Sequence, residues 1–296
     1  MLLIETKRKN LKDNWSELFT EQLDKVEKKE VSRFKKYLFN QYSEGVNIYL
    51  NTSSESGFVA LFKLVDLKEL YIDLYINVGL HFAKWYSKNS SDLMPKNNGD
   101  ETTWQREFSR FGELEAAKKV EIIKATAKQE LRKNIGRLFR DPDFQQLGAE
   151  QQGRILKNRF DKVSAYQAER IVRTEATSAA NKGTMKAATD IYGENSLVKE
   201  WISSGDSRTR RFANRDQADH VVMNGVVVDY NDVFMVPTVR GPEKMKHPGD
   251  TSLGASASNV INCRCTIAVY PKEDAEVRDD VTLTGITGGV SVSRDL

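Results

Sequence analysis

Residues 176–201, ATSAANKGTMKAATDIYGENSLVKEW, join two different textures. Up to Ile191 the small residues Ala176, Ala179 and Gly183 recur at three-to-four spacing, the period of a helix face. Side chains that small predict a close approach to a neighbouring element. Gly193 ends the pattern, and no helical period returns after it. The chain is therefore predicted to be α+β, with a mainly helical N-terminal region followed by a small α+β module of short strands and long loops.

Upstream, the helical reading extends almost to the start. Trp15, Leu18, Phe19, Leu23 and Val26, then Val31, Phe34, Leu38 and Tyr42, keep three-to-four spacing with Lys and Glu on the other face. Asn51–Gly57 is a polar break. Asp66 with Glu69 resembles a capping box ahead of Leu67, Leu70, Tyr71, Leu74, Tyr75, Val78, Phe82 and Trp85. A second break is read over Ser87–Asp100. Val120, Ile123, Ala127, Leu131, Ile135 and Leu138 mark a further helix that stops before Pro142. A last helix is expected from about Ser164 to Ile191.

Downstream, β-type runs are read at Val226–Tyr230, Phe234–Val236 and Val260–Tyr270. The loop between the last two, Pro237–Ser258, is rich in Pro, Gly, Ser and Lys. In the last run Ile261, Cys263, Cys265, Ile267 and Val269 share one face by the two-residue period. The expected organisation is a helical region at 1–192, a module at 193–272 and an extended tail at 273–296 that orders on a partner.

Composition narrows the function classes. Forty-five basic and 42 acidic residues leave a net charge of +3 over 296 residues, too balanced for a dedicated nucleic-acid coat. Met1–Asn10 is not followed by the apolar core of a signal peptide. The most apolar stretch, Leu64–Tyr86, is interrupted by Asp66, Lys68, Glu69, Asp73, Asn77 and His81, which disfavours a membrane span. Walker A, dinucleotide-glycine, His-Glu-x-x-His and Gly-x-Ser-x-Gly patterns are missing.

Four constellations carry chemistry. The two cysteines, Cys263 and Cys265, are one residue apart, and two of the three histidines, His220 and His247, lie in the same C-terminal third. Two thiolates and an imidazole can begin a tetrahedral zinc site, with His247 or Asp206 as a fourth ligand. Plain buried core explains the cysteines as simply, and His81 is expected in the core. Asp206-Ser-Arg-Thr-Arg210 can bind an anion or order a turn. Arg173-Thr-Glu175 with Asn181 can dock the last helix onto the module. Finally, Lys118, Lys119, Lys124, Lys128, Arg132, Lys133, Arg137 and Arg140 crowd one helix, as a solvated face or as a surface against packaged double-stranded DNA.

Taken in order, these residues resemble the phage head morphogenesis proteins of the Mu F and SPP1 gp7 type, the minor head proteins. The likeness runs through Arg173-Thr-Glu175, Asn181-Lys-Gly183, Lys199-Glu-Trp201, Asp206-Ser-Arg-Thr-Arg210, His220 to Gly225, Phe234, Pro248-Gly249-Asp250 and Ile261-Asn262-Cys-Arg-Cys265. It covers residues 165–270. The chain departs from the family pattern in the stretch Phe212–Asp219 and in Asn224-Gly225, where the family has Asp-Gly. The resemblance implies a structural protein of a tailed-phage virion, made in the bacterial cytoplasm and built into the head at the portal vertex. Portal protein, major capsid or other head proteins, packaged DNA and further copies of the chain are the expected partners. Arg208 and Arg210 are then expected to order the module while His220, Cys263 and Cys265 pin its centre. An enzyme with an open zinc position and a DNA-organising protein remain the rival readings.

Overall fold

The computed structural model describes residues 14–90 and 100–274. Four long helices come first: α1 (Trp15–Thr52), α3 (Leu64–Ser90), α4 (Glu101–Leu138) and α6 (Ala149–Tyr192), with single-turn helices α2 (Glu55–Val59) and α5 (Pro142–Gln145) between them. Strands follow as β1 (Leu197–Ile202), β2 (Val227–Asp229), β3 (Phe234–Val236), β4 (Glu243–Met245) and β5 (Thr266–Pro271), with the short helix α7 (Ala257–Val260) just ahead of the last. The predicted α+β class is the observed one. None of the helices described is long and apolar enough to cross a membrane.

Local chemistry sets the helix ends. Ser53, in the left-handed region at φ 55°, ends α1, and the Ser54 hydroxyl accepts the Gly57 N–H to start α2. Asp100 caps α4 through the Thr102 N–H, and Asp141 caps α5 with Pro142 at its first position. Asp66 lies in the first turn of α3, which begins two residues before it. The break read over Ser87–Asp100 falls mostly outside the described residues, and α3 itself continues to Ser90.

α3 is the centre of the bundle, packed along both α4 and α6, while α1 lies along α6. The close approach expected of the small residues is present: a Cβ at Gly183 would stand 2.4 Å from the Gly79 carbonyl oxygen on α3. His81 on α3 is half-buried and hydrogen-bonds Gln22 at 3.1 Å. The sheet has the order β2-β1-β5, antiparallel throughout, with Val198 opposite Tyr270 and Trp201 opposite Ile267. β3 and β4 form a separate hairpin. One continuous core joins bundle and module, from Phe19 through Ala180 to Trp201, Cys265 and Ile267.

Three expectations need correction. The last helix begins at Ala149, fifteen residues before Ser164, because Leu156, Phe160 and Gln167 keep a buried stripe through a polar-looking segment. β1 and β4 were not foreseen; β1 is buried on both faces, so it shows no alternation, and β4 is only three residues long. Val260–Tyr270 is not one strand. α7 closes at Val260, Asn262 turns left-handed at φ 56°, and the ladder starts only at Thr266. The cysteines therefore sit on a loop leading into β5. The tail expected at 273–296 lies almost entirely outside the described residues.

Candidate metal centre

The Cys263-Arg264-Cys265 loop is held from beneath by α6. Thr174 accepts the Asn262 N–H at 3.0 Å, and Thr177 donates to the Cys263 carbonyl at 2.7 Å. Asn181 donates to the Pro248 carbonyl at 3.0 Å and accepts from Thr266 Oγ1 and the Ile267 N–H at 3.0 and 3.1 Å. These three residues fall at i, i+3 and i+7, one face of the helix. Both cysteines then turn inward, while Arg264 between them points the other way, to Glu27 at 2.9 Å and Asp24 at 3.4 Å on α1. Alternation holds across this loop although it is not a strand.

His220 arrives from the opposite side on a turn that Asp219 organises by accepting the Phe212, Val221 and Val222 N–H groups. Its Nδ1 lies 3.5 Å from each sulfur, and the three ligand atoms are within 4.8 Å of one another. The other nitrogen, Nε2, meets Asn259 Oδ1 at 2.5 Å, and Asn259 donates in turn to Glu243 at 2.9 Å. Burial alone would raise the Glu243 carboxyl, but hydrogen bonds from Asn259 and Ser256 outweigh it and hold the group ionised below its ordinary range. The chain Glu243–Asn259–His220 thereby places a proton on Nε2 and turns Nδ1 to the sulfurs.

His220, Cys263 and Cys265 are all buried, with 1%, 2% and 2% exposure. The Cys263 thiol is held well below its usual range by the hydrogen bond from Cys265, then by His220 and Arg210. Cys265 is pushed up by the same bond and by burial. Against that push, the Ser204 backbone N–H and the Trp201 indole N–H both favour a thiolate at Cys265. The indole N–H is buried and has no hydrogen-bond partner among the described residues. The donors near the sulfurs suit a thiolate and hence a cation beside it. Tetrahedral bonding of zinc to one imidazole nitrogen and a thiolate puts those two atoms about 3.6 Å apart, which agrees with 3.5 Å. A buried cluster that can hold a metal ion is thus present.

Neither candidate fourth ligand belongs to it. His247 is buried beside Pro248, its Nδ1 2.9 Å from that carbonyl, and burial lowers it to about 4 in the company of Asp250, Lys182 and Lys199. Its neighbour across the turn, Asp250, accepts the Lys246 and Ser252 N–H groups, and Gly249, at φ 81°, packs against the α6 backbone at Ser178. The Asp206 carboxylate is already occupied by the Arg208 guanidinium, the Arg208 N–H and Thr209. It orders a turn, and Arg210 ties that turn to the Ile261 carbonyl. Gly225, at φ 82°, returns the chain from the His220 turn to Trp201. The cluster opens instead into a cavity of about 620 Å³, lined by His220, both cysteines and several arginines.

The remaining predicted residues divide. Glu175 faces the bundle, receiving the Tyr75 hydroxyl at 3.0 Å and Lys119 at 3.3 Å, whereas Arg173 lines the cavity. The cations of α4 do not form a bare positive strip. Lys118, Lys119, Lys124, Lys128, Arg132 and Lys133 each have a carboxylate within 4.0 Å, at Glu115, Glu175, Glu121, Glu55, Glu55 and Glu130 respectively. Arg137 and Arg140 are exposed. Sequence reasoning missed Thr174, Thr177, Asn259 and Glu243. The i, i+3, i+7 spacing of Thr174, Thr177 and Asn181 was the available signal for the first two; nothing local marks the others. Comparisons of the chain with protein-family models, with curated proteins and with solved structures find no match.

Proposed function

We propose that this protein is a structural minor head protein of a tailed bacteriophage, with a C-terminal module pinned by one zinc ion on His220, Cys263 and Cys265. The observation that carries the structural reading is how the motif residues spend their polar groups. Asn181, Asp206, Arg210 and Asp250 all bond main chain inside the module or between module and bundle. One His220 nitrogen faces the sulfurs and the other bonds Asn259, the arrangement of a ligand oriented from behind. On this reading the set holds a shape.

Zinc supplies a cross-link here, tying the His220 turn to the loop that α6 and α1 hold, in a module of short strands with little core of its own. The rest of the reading comes from the family resemblance: incorporation during head assembly, a place at the portal vertex, and contacts with portal, capsid proteins or other copies of the chain. The genome-facing role draws less support, because six of the eight candidate cations between Lys118 and Arg140 pair with carboxylates within the protein. Mass spectrometry of density-purified particles tests the assignment. The chain should be present at a few copies per head, and heads built without its gene should be defective. A chain that remains in the soluble lysate while complete infectious particles lack it contradicts the assignment.

A further inference from the structure

The cavity beside the centre is more than the space left by a missing ligand. Its wall carries five arginines, Arg173, Arg208, Arg210, Arg215 and Arg264, against two carboxylates, Asp206 and Asp216. Two of these cations are spoken for. Arg208 forms a fork on Asp206, and Arg264 is anchored behind the wall by Glu27 and Asp24. Asp216 is committed to the Arg211 N–H at 3.0 Å. Of the other three guanidinium groups, two have no carboxylate within 4.0 Å among the described residues. The nearest to Arg173 is Glu169 at 4.0 Å, Arg210 bonds only the Ile261 carbonyl, and Arg215 has no ion-pair partner among the described residues.

We infer that this cavity binds a terminal phosphate group, carried by a nucleotide or by the end of a nucleic-acid strand. Two unpaired guanidinium groups, Arg210 and Arg215, with the loosely paired Arg173 beside them, exceed what one carboxylate can use, since a carboxylate offers a single charge to a single fork. A terminal phosphate brings close to two negative charges and three acceptor oxygens. Size agrees, because about 620 Å³ falls within the range that encloses small organic ligands. An end group suits the site better than an internal phosphodiester, since the lining includes the buried Cys263, Cys265 and His220 and an end can enter a concave site that a continuous duplex must bridge. Arg210 is fixed by its bond to Ile261, so at least one donor is preorganised. The inference rests on the arginines and stands apart from the virion reading; because the same cavity is lined by His220, Cys263 and Cys265, zinc content is followed alongside it.

The test is calorimetric titration of the full chain at low salt with pyrophosphate, a nucleoside 5′-monophosphate, and one oligonucleotide in 5′-phosphorylated and 5′-hydroxyl forms. Saturable binding of about one phosphate-bearing ligand per chain is expected, with the 5′-hydroxyl strand at least about tenfold weaker. The double variant Arg173→Gln/Arg215→Gln should lose about tenfold or more per arginine removed. The Arg137→Gln/Arg140→Gln control, outside the cavity, should bind as the wild type does. Equal binding of the monophosphate and the phosphorylated strand supports an end-group site open to chains; binding of the monophosphate alone supports a site for free nucleotides. No saturable binding by any of the four ligands, or binding that the double variant leaves unchanged while its melting temperature is intact, overturns the inference. Zinc content measured on the same samples keeps the two sites separate: a zinc-loaded protein that ignores phosphate removes this site alone.

Discussion

Asn181→Ala should be the most damaging single polar truncation at the junction of bundle and module. Asn181 is completely buried and uses both ends of its amide: the donor on the Pro248 carbonyl, the acceptor on Thr266 Oγ1 and the Ile267 N–H. Truncation strands up to three partners in a place water does not reach. An unsatisfied buried polar group costs about 1–3 kcal/mol, and Thr266 can turn its hydroxyl elsewhere, so the expected loss is about 3–5 kcal/mol. Thr184, on the same helix and equally buried, is the internal control. Its hydroxyl has no hydrogen-bond partner among the described residues, so Thr184→Val should be neutral or mildly stabilising. Urea unfolding followed by circular dichroism reads both variants. An Asn181→Ala loss below about 1 kcal/mol, or a Thr184→Val loss as large as that of Asn181→Ala, refutes the view that α6 holds the module through this amide.

Three further outcomes follow from the same packing. Gly183→Ala forces a Cβ against the Gly79 carbonyl, so α3 and α6 must separate; a loss of about 1–3 kcal/mol is expected in the same urea assay, and an unchanged midpoint contradicts the contact. Burial raises the Glu27 carboxyl to about 7 despite Arg264, from an ordinary 4.5. Between those values the unfolded chain releases a proton that the folded one keeps, so this group lowers stability as pH rises from 4.5 to 7, by at most about 3 kcal/mol. Glu27→Gln should remove that slope, and parallel pH–stability curves for wild type and variant refute it. Arg132→Ala should change stability by less than about 1 kcal/mol, although its guanidinium forks onto Glu55, because both groups are solvent-exposed on the helix surface.

The helical two thirds were legible because burial there follows a single period. Trp15, Phe19, Leu23, Phe34, Leu38 and Tyr42 all face the core they were read to face, and the small residues around Gly183 do meet another backbone. Segments whose burial is not periodic were the ones misread. β1 is buried on both faces, so Leu197 to Trp201 offers no alternation. The run Val260–Tyr270 looks like one strand because Cys263 and Cys265 alternate with Arg264, yet the turn at Asn262 depends on α6, 88 residues away, accepting its N–H. His220, Cys263 and Cys265 could be grouped by residue type alone. Asn259 and Glu243 could not, since their roles exist only once α7 and β4 stand beside the imidazole. His247 shows the converse, a histidine of the right type whose surroundings at Asp250 and Lys182 belong to a different buried network.

The central claim is that His220, Cys263 and Cys265 hold a zinc ion that pins the C-terminal module. Elemental analysis of purified protein, beside Cys263→Ser/Cys265→Ser and a His220→Ala variant, tests it most directly. About one zinc per chain in the wild type is predicted, lost in both variants together with thermal stability, and removable by chelator with the same loss. A wild-type protein that carries no zinc after purification without chelator, takes none up on addition, and melts at the same temperature with and without chelator would return both cysteines to ordinary core and contradict the claim.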